Sequence, residues 1–143
     1  MPIHCLNAFT SCSDPAREDE FNRWYSHTHL PDLAAAKGFL RARRFVNKGA
    51  GAGQARYWAQ YEFETDDPAA SVASFLGCAL TAYETGRHID CIESHPPAGG
   101  AMWELIEPNA LTPLDEAKMD YPKTPPKEIG DAIAAMQARF DGS

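Results

Sequence analysis

Positive charge is scarce in this sequence. Thirteen Lys and Arg stand against twenty Asp and Glu, a formal net charge of −7 over 143 residues. A surface that binds phosphates draws on a basic excess, so nucleic acid is not an expected partner. The one basic cluster, Arg41, Arg43 and Arg44, is too small to change that. No apolar run approaches the ~20 residues that span a bilayer, so no membrane association is expected. The opening MPIHCLNAF lacks the charged and long apolar parts of a secretory leader, and the expected location is cytoplasmic. Cysteine is sparse: Cys5, Cys12, Cys78 and Cys91 form no CxxC pair and are expected to be reduced thiols, several of them buried. GxSxG, HExxH and GxGxxG motifs are all missing, as is a paired-carboxylate motif. The glycine-rich KGAGAGQA is followed by no GK[ST] and opens a strand, so it reads as a hairpin connection, not a phosphate loop.

What is present fits a soluble globule: 44% hydrophobic and 23% charged residues, in a chain long enough for one domain with a core. IHCLNAFT (3–10) alternates as a strand. SCSDP stops it; Asp14 suits a helix N-cap, Pro15 the first helical position, and Glu18, Asp19 and Glu20 the positive end of the helix dipole. The spacing predicts a helix over 15–37, closed by Gly38 and kinked around His27–Leu30 by Pro31. Residues 38–49 and 56–65 predict two further strands, 66–88 a second helix (with a break at Gly77 allowed), and AMWELIEP (101–108) a fourth strand. This order gives an α+β unit, a four-stranded antiparallel sheet with both helices on one face. The domain reading is 1–107 for this unit and 108–143 for a proline-rich C-terminal extension. That extension ends in a helix over 127–140 with Ile129, Ile133, Met136 and Phe140 at helical spacing. This stripe needs a surface, either its own sheet or a second subunit.

Helices on one face leave the other bare. The bare face carries either the Tyr57–Tyr61–Phe63 row or the Trp58–Gln60 row, and an aromatic patch of that kind implies a homodimer packed sheet on sheet.

WYSHTHLPDL (24–33) is the candidate site. Phe21, Tyr25 and His29 stack at four-residue spacing and should face the sheet. His27, two residues from His29, points nearly the opposite way, so the two are not a chelating pair. An inward imidazole is either a satisfied core residue or a proton-moving group. A hydroxyl of Tyr25 or Tyr61 would orient it or polarise a carbonyl. His88, Cys91 and His95 would share one face of a helix at i, i+3 and i+7, but the set is loose and no metal is expected. His4, on the first strand, reaches the pocket rim if its face meets the helices. Trp24, Trp58 and Trp103 are either stacking platforms or core.

FNRWYSHTHLPDLAAAKGFLRARRF resembles the helix-one to strand-two region of EthD-like members of the dimeric α/β-barrel superfamily. Those proteins carry an aromatic pair, a His shortly before Pro, and PGF or PGL before a strand with basic residues. Tyr25, His29, Pro31 and Gly38–Phe39 fall on the matching places, with Lys37 where proline is common. The resemblance implies a ferredoxin-like βαββαβ subunit whose sheets pair into a barrel, with a pocket between sheet and helices. It spans residues 3–107 and leaves the tail outside. The activity it implies is a cofactor-independent enzyme acting on an aromatic or polyketide-like compound by acid–base chemistry, as a lyase (including decarboxylase), cyclase or isomerase. His29, Tyr25 and Tyr61 would be catalytic. Trp24, His4, Phe75, Tyr83, His88 and Trp103 would bind substrate. The alternatives are a monooxygenase, cofactor-free or with haem on His29 or His88, and a non-catalytic ligand-binding accessory protein.

Overall fold

A computed structural model describes residues 1–95, 102–106 and 120–141. The chain divides into two compact units, Met1–Asn109 and Ala110–Ser143. In the first, strands β1 (Ile3–Cys12), β2 (Phe39–Val46) and β3 (Tyr57–Glu64) form an antiparallel sheet in the order β2-β3-β1. The free edge of β1 takes two short pieces, β4 (Ile92–His95) opposite Phe9–Cys12 and β5 (Trp103–Glu104) opposite His4–Cys5. Together they make a split fourth strand, so the ferredoxin-like order holds. Of the expected 101–108 strand, Trp103–Glu104 pairs with β1 and the Leu105 N–H extends the contact to the Ile3 carbonyl at 2.8 Å, while residues 101, 107 and 108 lie outside the described residues. The 87–95 segment is not helical. Ile92–His95 instead satisfies backbone groups of β1, which takes His88, Cys91 and His95 off any common helical face.

Residues 15–33 form one helical stretch in successive hydrogen-bond patterns. Asp14 caps a 3₁₀ turn at Pro15–Arg17, accepting the Ala16 N–H at 3.1 Å. Helix α1 (Glu18–Trp24) follows, then a π-helical turn at Tyr25–His29, then α2 (Leu30–Leu33). Pro31 has no N–H to donate back and its ring crowds the preceding turn. The chain responds by widening: the Leu30 N–H reaches back to the Tyr25 carbonyl, the π pattern. The expected kink is thus a bulge. The helix also ends at Leu33, four residues before Lys37, in tight turns that lead to Gly38 at φ 79°. A Cβ at Gly38 would meet Ser71 Oγ at 3.0 Å and the Glu64 carbonyl at 3.2 Å, so glycine lets β2 start against α3 (Pro68–Glu84). Helix α3 begins on Asp67, whose Oδ1 accepts the Ala70 N–H, and runs through Gly77 unbroken.

The core lies between sheet and helices. Tyr57, Ala59, Tyr61 and Phe63 of β3 and Leu6 of β1 pack on Phe21, Tyr25, Leu33 and Phe75. The Tyr row therefore faces the helices and the Trp58–Gln60 row faces away. In the second unit, helix α4 (Lys127–Asp141) aligns Ile129, Ile133, Met136 and Phe140 along one side. No helix among the described residues is long and apolar enough to cross a membrane.

Candidate active site

The π turn determines which side chains meet. Tyr25 and His29 are its first and last residues; both are buried, whereas His27 is exposed. Tyr25 lies 1% exposed and its hydroxyl is 2.9 Å from that of Tyr61, which is equally buried. Either oxygen can be the donor. Burial raises both phenols above their ordinary range, so both remain neutral hydrogen-bonding groups at neutral pH.

His29 is enclosed by rings. Trp24 stacks on it with centroids 4.6 Å apart, and Tyr25 and His88 meet it edge to face at 4.9 and 5.4 Å. Its Nδ1 is buried and has no hydrogen-bond partner among the described residues. Burial, then the neighbouring His88, pushes its pKa down to about 4. At neutral pH this is a neutral imidazole, able to accept a proton and not charged to give one. His88 in turn stacks on Tyr83 at 3.7 Å and holds the Ile89 carbonyl through Nδ1 at 3.0 Å. Trp24 is fixed by its indole N–H, which donates to the Arg87 carbonyl at 2.8 Å, while the Arg87 guanidinium pairs with Asp32 of α2. Phe75 closes the far side, 4.9 Å from the Tyr61 ring.

Seven of the expected residues thus form one cluster: His29, Tyr25, Tyr61, Trp24, Phe75, Tyr83 and His88. His4 and Trp103 are placed elsewhere. His4 is buried on β1 with Nε2 3.9 Å from a Glu104 carboxylate oxygen. Trp103 pairs with Cys5 and so points to the opposite face of the sheet. Both line a hollow of about 400 Å³ with Gln60, Glu62 and Ile106. A second hollow, about 550 Å³, runs between α2 and α3 past Asp32, Cys78 and Arg87. His29 lines neither.

Arg44 belongs to the cluster and was not among the expected site residues. Its guanidinium carbon lies 4.3 Å from the Tyr25 ring centre and 5.2 Å from that of Tyr57. It donates to Asn22 and Ser26, and among the described residues it meets no carboxylate and its buried Nε has no partner. The signal was in the sequence: consecutive arginines on a strand point to opposite faces, so one of Arg43 and Arg44 had to meet the helices.

Rings flank both imidazoles that could serve as a haem ligand, Trp24, Tyr25 and His88 around His29 and Tyr83 on His88. Among the described residues no group of three or more His, Cys, Asp or Glu is placed to hold a metal ion.

Sheet order, two covering helices and a ring-lined site on the covered face define a ferredoxin-like α+β protein, the subunit fold of the dimeric α/β-barrel class. Among solved structures, the chain is similar to a candidate antibiotic biosynthesis monooxygenase from Bordetella bronchiseptica, at 16% identity and TM-score 0.52 over 74% of this chain and 99% of that one. It is similar also to an EthD-family protein from Bacillus halodurans (12% identity, TM-score 0.48, 74% and 100% covered). A third likeness is to a haem degrader of Mycobacterium tuberculosis (19%, 0.48, 73% and 96%). No protein-family model and no curated protein matches the chain.

Proposed function

We propose that this protein is a small-molecule enzyme in which His29 acts as general base on an aromatic or polyketide-like substrate, with no cofactor. The observation that carries the reading is a neutral imidazole whose Nδ1 has no hydrogen-bond partner among the described residues, held beside a bonded pair of neutral phenols. A base must be unprotonated at working pH, and His29 is. Removing a proton next to a carbonyl puts negative charge on oxygen. The Tyr25–Tyr61 hydroxyls would donate to that oxygen, and Arg44, bonded to the neutral Asn22 and Ser26, would lower the cost of the charge. Trp24, Phe75, Tyr83 and His88 would line the substrate's rings; loosening of the Tyr83–His88 stack would admit it. The same first step serves a lyase, a cyclase or an isomerase, and also a monooxygenase in which the resulting carbanion meets oxygen.

The test is a thermal-shift screen of phenolic acids and β-dicarbonyl aromatics, followed by turnover and solvent deuterium exchange on the binders. His29→Gln and His29→Ala should keep the fold and lose about 100-fold or more in rate. Full turnover in both folded variants contradicts the role. Ligand affinity with no product and no exchange, unchanged in both variants, would make the protein a binding accessory.

The homodimer belongs to the same proposal. On the bare face Trp58 stacks between Phe45 at 4.7 Å and Phe9 at 6.0 Å, an apolar band that a monomer would leave in water. Light scattering at micromolar concentration should give twice the chain mass, falling to one chain in Trp58→Glu.

A further inference from the structure

Where β1 ends and β4 begins, two cysteines far apart in sequence come together. Cys12 Sγ and Cys91 Sγ are 3.6 Å apart, although Cys91 follows Cys12 by 79 positions along the chain. The backbone at this corner is tied: the Ser13 N–H and hydroxyl both donate to the Cys91 carbonyl, at 2.8 and 3.1 Å. Cys91 is buried and Cys12 partly open to solvent. A disulfide needs the sulfurs at about 2.05 Å, an approach of about 1.5 Å that side-chain rotation at both residues can supply. Cys5 and Cys78, also free thiols, have no such neighbour among the described cysteines.

We propose that Cys12 and Cys91 are a reversible thiol–disulfide modification site, closed by peroxides. Cys12 is the attacking sulfur because it is reachable. Burial and the adjoining Cys12 raise the Cys91 thiol, which therefore stays protonated until it resolves the intermediate. The Cys12 thiolate attacks one peroxide oxygen and breaks the O–O bond. It becomes a sulfenic acid, and hydroxide leaves to be protonated to water. Cys91 sulfur then attacks the sulfenic sulfur, the S–S bond forms, and a second water leaves. The two thiols lose two electrons and two protons, and hydrogen peroxide becomes two waters. The bond would pin the segment from Arg87 to Cys91, which carries His88 and the carbonyl that fixes Trp24. Reduction by cellular thiols would release it, as expected of a cytosolic disulfide.

The full chain is treated with hydrogen peroxide, quenched with an alkylating reagent and mapped by mass spectrometry, without any substrate. Expected are loss of two thiols, a mass lower by two hydrogens, a Cys12–Cys91 linked peptide, and recovery on adding dithiothreitol. The oxidised protein should melt several degrees higher, because the bond closes a long loop. Cys12→Ser and Cys91→Ser should each abolish the linked peptide. Should either fail to fold, a Cys5→Ser/Cys78→Ser chain, which retains only the relevant pair, must still form the bond. Alkylation of both Cys12 and Cys91 after peroxide treatment, a Cys12 that stops at sulfinic acid, or linkage between chains would each overturn the proposal.

Discussion

The two faces of one strand solve different problems. On β3, Tyr57, Ala59, Tyr61 and Phe63 face the helices, and Trp58, Gln60 and Glu62 face away. The covered row carries three aromatic rings and the bare row one, and their polar atoms behave differently. On the covered face the hydroxyls bond to helix side chains, Tyr61 to the buried Tyr25, and Tyr57 to the part-exposed Asn22 and Glu18. The imidazole buried in the π turn, His29, is held neutral by that burial. On the bare face full charges pair with one another, the exposed Arg41 and Arg43 both meeting the largely shielded Glu62 beside the Phe9–Trp58–Phe45 band. Full burial favours neutral groups such as His29, Tyr25 and Tyr61, with the half-buried Arg44 as a charge set against them here. Partial exposure tolerates ion pairs, which define an edge more than they add stability.

Breaking the comparison starts with neighbours on β3. Phe63→Ala removes a ring with no solvent contact and should cost about 3–5 kcal/mol in urea denaturation. Glu62→Ala, one residue away on the other face, should cost less than about 1 kcal/mol. Equal effects would mean that the faces are not distinct.

Next in size is pH. His29 has an ordinary pKa of 6.5 when unfolded and about 4 when folded. Between those values the unfolded chain holds more protons, so the stability linked to His29 is complete above about pH 6.5 and is lost as pH falls toward 4. The difference amounts to roughly 3 kcal/mol. Urea midpoints across this range should fall more steeply for the wild type than for His29→Gln. Parallel curves would show that His29 does not titrate in this way.

The phenol pair gives a finer cut. Tyr61→Phe leaves a buried Tyr25 hydroxyl unpaired and should cost about 1–3 kcal/mol. The Tyr25→Phe/Tyr61→Phe double variant should cost less than the two singles added together. Smallest of all, Arg43→Ala should change stability by under about 0.5 kcal/mol.

These expectations also show what a one-dimensional reading can see. The alternation of RYWAQYEFET and the stacking of Phe21, Tyr25 and His29 announced one strand and one inward helix face, because side-chain direction follows directly from local periodicity. Pro31 announced an irregularity, though not its kind: a π turn is a choice of hydrogen-bond partner, and local sequence leaves several choices close in energy. The split fourth strand was less legible. Ile92–His95 has no strong strand pattern of its own and is recruited because β1 offers unpaired backbone groups, a tertiary cause. For the same reason the spacing of His88, Cys91 and His95 misled, while the approach of Cys12 to Cys91 was invisible. Trp103 is separated from the site by the parity of a pairing with Cys5 that no local window contains.

The central claim is that the covered face holds a neutral imidazole at position 29. Side-chain nuclear magnetic resonance of ring-labelled histidines, titrated from pH 8 to 3.5, measures this directly. The account predicts that His29 keeps its neutral signature until about pH 4. A His29 that takes up its proton near pH 6.5, the ordinary value for an unperturbed imidazole, would contradict it.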